Sequence, residues 1–302
     1  MKDIARTVFV AMLVCVSLVS CQQVAEDSTE SRSMVTLKVK ATTIEQEIQG
    51  WEPVDADDIT INGKEVKSRA EQEAVSRMAF FLLDEEGKKV LAQEKSNTSN
   101  DYLNLYVEAP KGAYQLVAFG HNGTADASID ANAIITPPSG KLTDSFLYYK
   151  EIELNEESES EQSITLDRCV SKFSLKHTDA IPEGTATVEF VVTGAAKVLN
   201  AKTGLGDESE EQAIVINIPA SAVGTKNNSF AFYTFLTSGE SKLKIVATSK
   251  DADDAVLATY TFEDVEMEVN MQTIYSGAFF HADQKIGASF NTEWKPDKKV
   301  GF

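Results

Sequence analysis

Apolar and polar residues alternate with a period of two from Val35 onward. Val35, Leu37, Val39 and Ala41 fall on one face, and the threonine and lysine positions between them fall on the other. Because the side chains of an extended strand point alternately to opposite faces, this pattern predicts a β-strand with one buried face. The irregular, acidic residues 44–70 separate this first strand from the next apolar run.

The same alternation, interrupted by turn residues, continues to about residue 280. The apolar run 78–83 leads into a glycine turn and a second strand, and residues 103–107 and 114–118 flank Pro110-Lys111-Gly112 as a predicted hairpin. Further predicted strands cover residues 163–175, 187–192, 214–218, 230–235, 243–248, 256–262 and 265–280. Since no long stretch has helical periodicity with caps, the pattern predicts an all-β protein.

A weak internal similarity predicts two copies of one β unit. Residues 111–118 and 238–247 are each a glycine-containing turn that feeds an apolar strand. Strands spaced by turn signals are typical of antiparallel sandwiches, and the acidic stretch 155–161 is predicted to be a surface loop near the boundary between two of them. We therefore expect an N-terminal β-sandwich over residues 34–162 and a C-terminal β-sandwich over residues 163–302.

The first 21 residues have the order of a bacterial lipoprotein signal. Basic residues precede an apolar run over residues 8–19 that is too short for a comfortable membrane span, and Leu18-Val19-Ser20-Cys21 has the form of a lipobox. We expect a signal peptide over residues 1–20, cleavage between Ser20 and Cys21, and lipidation of the Cys21 thiol. An ordinary secretory signal that contains cysteine is the alternative.

Residues 21–33 are expected to be a flexible tether between the lipid and the fold, since residues 22–33 are polar and free of aromatics. The Glu26-Asp27 pair resembles the acidic signals that send lipoproteins of the Bacteroides group to the outer cell surface, and a solvated linker explains the same acids. Several acyl chains on one cysteine make release from a membrane slow. We therefore expect an outer-membrane, lipid-anchored protein at the cell surface, with membrane lipid as a partner through Cys21.

Charge narrows the range of partners. The formal net charge is −19. Nucleic acids and anionic lipid surfaces are bound through basic patches that displace counterions or meet headgroups. No basic stripe interrupts the acidic sequence, so neither nucleic acid nor an anionic bilayer surface is an expected partner.

The reactive side chains form no catalytic motif. His121, His177 and His281 lie far apart in sequence, and the chain lacks a phosphate-binding glycine loop, a nucleophile elbow and a Cys-x-x-Cys pair. Once Cys15 leaves with the signal and Cys21 is acylated, Cys169 remains alone in an apolar segment, which favours a buried structural thiol. We therefore expect no catalytic residue, no metal and no cofactor, and a protein that is not an enzyme.

Two groups of residues are candidates for binding a calcium ion or a sugar. The acidic clusters at 55–58 and 251–254 offer oxygen atoms to calcium, but neither has the full EF-hand pattern, and solvated loops are the simpler expectation. Trp51 and Trp294 are candidates for sugar stacking, although a lone tryptophan is more often a packing residue.

Several segments together resemble the FimB and Mfa-type fimbrillin-associated family, the lipoprotein components of type V pili in the Bacteroides group. The resemblance lies in degenerate motifs spread over most of the chain. They are the lipobox, the strand and turn at 78–90, residues 110–119, Leu147-Tyr148-Tyr149, the Leu-x-Arg-x-x-x-Lys pattern of residues 166–172, and residues 290–294. The resemblance implies two transthyretin-like β-sandwich domains and a role as anchor, tip or stalk component of a pilus.

The resemblance also implies that the first strand matters for assembly. In such systems tip and stalk precursors are trimmed after an arginine and lose the lipid and first strand, whereas anchors keep both. Arg69 and Arg77 are the candidate trimming points, and the strand containing Val35, Leu37 and Val39 is the candidate first or donor strand. A sandwich missing a strand exposes an apolar groove and unpaired backbone groups, which a neighbour's strand satisfies.

The expected function is that of a non-enzymatic pilus lipoprotein in assembly and cell adhesion. Its expected partners are other fimbrial subunits, joined by strand exchange, and a host or bacterial surface receptor. The alternative is a surface glycan-binding lipoprotein that uses Trp51 or Trp294 as an aromatic platform.

Overall fold

The computed structural model describes residues 33–43, 75–138, 142–156 and 161–281, and the backbone of residues 289–290. Its strands, in chain order, are β1 (Met34–Thr43), β2 (Arg77–Asp84), β3 (Lys89–Ser96), β4 (Asn104–Pro110), β5 (Gly112–His121), β6 (Ser128–Ile129), β7 (Ile134–Thr136), β8 (Phe146–Leu154), β9 (Glu161–Arg168), β10 (Ser171–His177), β11 (Thr187–Thr193), β12 (Ala195–Ala196), β13 (Leu199–Asn200), β14 (Leu205–Gly206), β15 (Gln212–Asn217), β16 (Ser229–Leu236), β17 (Glu240–Lys250), β18 (Val256–Glu268), β19 (Gln272–Gly277) and β20 (Ser289–Phe290). One short 3-10 helix covers Ala220–Ala222. The all-β prediction is confirmed for the described residues.

The N-terminal half, which we define as β1–β5, β8 and β9, surrounds one apolar core. Its strands follow the order β3-β2-β5-β8-β9-β1-β4. Within the described residues, β8 and β9 share only the pairs Phe146–Arg168 and Leu147–Asp167. The sheet therefore folds at this seam into a four-stranded and a three-stranded layer, and buried side chains from β1, β2, β4, β5, β8 and β9 meet between the layers.

The C-terminal half, which we define as β10–β12 and β15–β20, repeats this arrangement. One layer has the order β15-β11-β17-β18, and the other has the order β12-β16-β10-β19-β20. β10 pairs antiparallel with β16 and parallel with β19, as β1 pairs antiparallel with β4 and parallel with β9. β5 and β17, which contain the similar sequences, hold corresponding places in the two four-stranded layers. The division into domains at residue 162 stays a prediction.

A third apolar cluster joins the two halves. Ala79, Phe81 and Leu83 of β2 face away from the N-terminal core and pack in a cluster that includes Leu199 and Phe235. A small sheet, in the order β14-β13-β7-β6, contributes to the same cluster. β2 is therefore buried on both faces, which explains why its sequence is a continuous apolar run rather than an alternation.

The predicted hairpin of residues 103–118 is wrong. β4 pairs with β1, whereas β5 pairs with β2 and β8 in the other layer. At the connection the Lys111 N–H donates to the Ser33 carbonyl, and Gly112 has a φ of 152° that suits glycine. The apolar side chains of both strands still face one core, because each layer turns its apolar face inward.

Other predicted strands have different bounds. The predicted strand 265–280 is interrupted at residues 269–271, between β18 and β19, and β19 ends at Gly277. The predicted strand 163–175 breaks at the buried Cys169-Val170 pair into β9 and β10, which belong to different halves. The predicted break between residues 262 and 265 is instead a register shift within β18, at Asp264, whose φ is 52°. This insertion of an extra residue bends a strand without ending it.

Candidate functional site: the first-strand slot

β1 fills a gap between two strands that do not pair with each other, and we call this gap the first-strand slot. β1 pairs antiparallel with β4 from Met34–Pro110 to Lys40–Asn104, and it pairs parallel with β9 from Lys38–Glu161 to Thr43–Leu166. The N–H of Ala41 also donates to the Leu103 carbonyl at 2.8 Å. Without β1, both β4 and β9 would present an unpaired backbone edge to a gap one strand wide.

The inward face of β1 seals the N-terminal core. Leu37, Val39 and Ala41 are at most 2% exposed, whereas Lys38 and Lys40 face solvent. The predicted strand and its buried face are therefore confirmed. Burying a leucine or valine side chain contributes about 1.5–3 kcal/mol. Loss of β1 would thus uncover apolar side chains as well as two strand edges.

β10 holds the corresponding position in the C-terminal half but is fixed in place. Of its seven residues, six are buried, so both faces are covered. Cys169-Val170 alone connects it to β9. The Ser171 hydroxyl donates to the Glu268 carbonyl at 2.8 Å, and the His177 N–H donates to the Asn228 carbonyl. β10 is therefore connected to other strands at both of its ends, and these connections hold it in the sheet.

An ion pair reinforces the passage from β9 to β10. The Arg168 guanidinium donates to both Asp144 carboxylate oxygens, at 2.6 and 3.0 Å, and to the Asn270 side-chain oxygen at 3.0 Å. The same guanidinium lies 4.7 Å from the centre of the Phe146 ring. Arg168, part of the Leu-x-Arg-x-x-x-Lys pattern, thus ties three parts of the chain together at the point where the two halves meet.

Arg77, a candidate trimming point, begins β2 and is engaged in ion pairs. Its Nε donates to the Glu94 carboxylate at 2.5 Å, and its terminal nitrogen pairs with Asp126. Hydrogen bonding to Glu94 raises the pKa of Arg77. Burial acts to raise the pKa of Glu94, but the hydrogen bonds donated by His121 and Arg77 outweigh it, and the pKa lies below its usual value. Cleavage after Arg77 would cut at the first ladder pair of β2.

The structure brings His177 and His281 together around Asp179, a contact that sequence spacing did not indicate. The Asp179 carboxylate accepts hydrogen bonds from the backbone N–H groups of Phe279, Phe280 and His281, and from the His281 ring. Burial acts to raise the pKa of Asp179, but these bonds outweigh it and lower the pKa. His177 stacks on Phe230, and its Nδ1 bonds to the Asp179 carbonyl, so the group fastens the segment after β19 to the end of β10.

The other candidate side chains have structural roles. Burial raises the pKa of the Cys169 thiol well above its usual value, which disfavours the reactive thiolate. The Asp251 carboxylate accepts hydrogen bonds from the N–H groups of Asp253 and Ala255 and so shapes its own turn. Across the described parts of the chain, no three histidine, cysteine, aspartate or glutamate side chains are grouped so as to hold a metal ion.

One group of the predicted site residues, the first-strand residues, therefore lies together in the structure. Val35, Leu37 and Val39 lie together in the first-strand slot, and Arg77 lies at the start of β2. The remaining predicted residues lie outside the described ones: Ser20, Cys21, Trp51, the acidic cluster 55–58, Arg69 and Trp294. Among the described residues, no helix is long and apolar enough to cross a membrane.

Among the described residues, paired layers of strands packed around apolar cores define an all-β protein. Residues 128–300 match the family model described as a family of unknown function, DUF6562, and the chain belongs to this family. None of the curated proteins matches it.

Solved structures resemble the fold over most of their length at low identity. A candidate adhesin from Bacteroides ovatus has 14% identity and a TM-score of 0.48, covering 84% of this chain and 88% of its own. A candidate polysaccharide-binding protein from Bacteroides thetaiotaomicron has 11% identity and a TM-score of 0.47, covering 81% and 92%. The fimbrial anchor protein Mfa2 from Porphyromonas gingivalis has 11% identity and a TM-score of 0.41, covering 81% and 91%.

Proposed function

We propose that this chain is a non-enzymatic surface lipoprotein of a pilus, and that the first-strand slot is where it joins other subunits. The observation that carries the proposal is the position of β1. It is a separately connected strand near the N-terminus that lies between β4 and β9, where its loss leaves two backbone edges and an apolar groove. Strand addition from a neighbour restores both, and it needs no disulfide.

We also propose a two-domain architecture and a lipid anchor at Cys21. The repeated strand order supports two transthyretin-like β-sandwich domains, divided near residue 162. The lipobox supports cleavage before Cys21 and acylation of its thiol. In an anchor, lipid and β1 stay. In a tip or stalk subunit, trimming removes both and opens the slot.

Arg69 is the trimming point that removes β1 but leaves β2 and its ion pairs intact. Cleavage there keeps Arg77 with its Glu94 and Asp126 partners, and it keeps the whole of β2. Cleavage after Arg77 would separate that guanidinium from the chain that follows, and the buried Glu94 would lose an ion-pair partner while keeping its contacts with His121 and the Ala127 N–H. Removing one partner of a buried ion pair is costly, so we propose Arg69 over Arg77.

N-terminal sequencing and intact-mass measurement of protein taken from the cell surface test this proposal. An acylated Cys21 identifies an anchor, and a start at residue 70 identifies a trimmed subunit. Either form should co-purify with other fimbrial proteins, and a Cys21→Ala variant should leave the membrane fraction. A protein that never associates with fimbrial subunits, and whose trimmed form is a stable soluble monomer, would contradict the pilus function.

A further inference from the structure

Among the described residues of the C-terminal half, the edge strand β15 lacks the usual protection against pairing. Of the longer edge strands, β3 has Lys89, Lys95 and a bulge at Val90, and β4 has Glu108 and Pro110. β18 is acidic and bulged. Charges, proline and bulges are the devices by which proteins prevent strand addition. β15, with the sequence Gln-Ala-Ile-Val-Ile-Asn, has none of them.

The backbone of β15 offers free hydrogen-bonding groups along this edge. The Ile218 N–H donates to the Ala186 carbonyl, and β15 pairs with β11 without a register shift from Val192–Gln212 to Thr187–Asn217. Because ladder bonds alternate along an antiparallel pair, the N–H and C=O groups of Ala213, Val215 and Asn217 point away from β11. Among the described residues, β15 pairs with no other strand.

An apolar groove of about 670 Å³ lies beside this edge. Ile214 and Val215 of β15 line it together with Pro137, Leu142, Val198 and Phe232. Val215 is 53% exposed and so adds an uncovered apolar side chain to the rim of the groove. A strand added to β15 could place alternate side chains into the groove while its backbone bonds to the edge.

The charges at the start of β15 select the partner. Glu208 and Glu211 are exposed and, within the described chain, have no ion-pair partner, whereas Lys197 neutralises Glu210 at 2.9 Å. A second copy of this chain would bring the same acidic residues, and each copy has a formal net charge of −19, so the two copies would repel each other. We propose that β15 binds an extended peptide strand of another protein, with alternating β-branched residues and a basic residue at the end beside Glu208 and Glu211.

A labelled synthetic peptide tests the inference on the full chain. The probe alternates valine and threonine and has one lysine at each end, and its binding is followed by fluorescence anisotropy. Val215→Pro removes an outward N–H without breaking the bonds to β11, because proline is tolerated on the solvent side of an edge strand. The matched control is Ala92→Pro, at an outward-facing position of β3. We expect at least tenfold weaker binding for Val215→Pro and unchanged binding for Ala92→Pro.

Altered peptides test the inference without changing the protein, which matters if Val215→Pro does not fold. Two N-methylated peptides are compared, each methylated on one alternate set of backbone amides. Only one set faces β15, so the two peptides should differ in affinity. The peptide whose methyl groups face β15 should bind at least tenfold more weakly than the parent. Glutamate in place of both lysines should weaken binding similarly. The inference is wrong if the parent peptide does not bind, if both methylated peptides bind like the parent, or if β15 instead joins two copies of this chain in a dimer that Val215→Pro abolishes.

Discussion

β1 and β10 occupy equivalent positions in the two halves but are held by different means. Each lies between an antiparallel and a parallel neighbour. β10 is buried on both faces, and two residues connect it to β9. β1 is buried on one face, and residues 44–76 connect it to β2. The same sheet position is therefore a permanent part of one half and, as we propose, an exchangeable part of the other.

The largest effect should follow from a cavity beneath β10. The Phe173 ring lies at the centre of the C-terminal aromatic core, and Phe173→Ala should lower the free energy of unfolding by about 3–5 kcal/mol. Its ring centroid is 5.3–5.9 Å from those of Phe190, Phe232, Phe262 and Tyr275. Urea unfolding measures the loss, with Lys176→Ala in the same strand as the control. A loss below about 1 kcal/mol would mean that β10 is not the fixed strand described here.

A cavity beneath β1 should have a smaller and more local effect. Leu37→Ala should cost about 2–4 kcal/mol, and it should speed amide hydrogen exchange in β1, β4 and β9 while leaving β10 and β16 unchanged. Lys40→Ala, on the exposed face of the same strand, should change stability by less than about 0.5 kcal/mol. Equal acceleration of exchange in both halves would show that β1 does not open separately.

Loss of the ion pair between Arg168 and Asp144 should have the third-largest effect on stability. Arg168→Ala leaves the Asp144 carboxylate, 17% exposed, without its bidentate partner, and should cost about 2–3 kcal/mol. A double-mutant cycle with Asp144→Ala isolates the interaction, since the second substitution removes the orphaned charge. Additive losses in that cycle would mean that the pair does not stabilise the junction.

Acid should weaken the C-terminal half through His177. Burial lowers the pKa of this histidine below its usual 6.5, so the neutral ring is favoured in the folded state. Between the lowered pKa and about 6.5 the unfolded chain binds a proton that the folded chain excludes, and stability falls as the pH falls, by at most about 1.4 kcal/mol per pH unit. Urea titrations from pH 7 to pH 5 should show this slope, and His177→Phe should remove it. An unchanged slope in that variant would assign the effect to another group.

The alternation of side chains predicts which residues face a core but not which strands pair. Leu37, Val39 and Leu105 are buried as the period of two requires, yet the hairpin predicted across Pro110 crosses between layers. Both arrangements bury the same faces, so no pattern within the segment distinguishes them. The break at Cys169 was missed for a similar reason, since an apolar run continues through it.

The candidate site was predictable in part. The alternation from Val35 to Ala41 identified the strand itself, and its place between β4 and β9 came only with the fold, because those neighbours lie far along the chain. Asp144 with Arg168 and Asp179 with His281 meet across 24 and 102 positions, and neither pair has a sequence signature. The unprotected edge of β15 was visible as an uncharged strand, but its edge position depends on tertiary pairing.

Exchange of β1 for an added peptide tests the central claim most directly. A full chain with a specific protease sequence in place of residues 64–69 is cleaved, and an isotopically labelled peptide of residues 34–43 is added. The account predicts that native mass spectrometry shows one labelled peptide replacing β1 per chain, while a peptide with Leu37→Asp is not taken up and one with Lys40→Ala is. A cleaved chain that loses β1, stays folded and takes up no peptide would contradict the account.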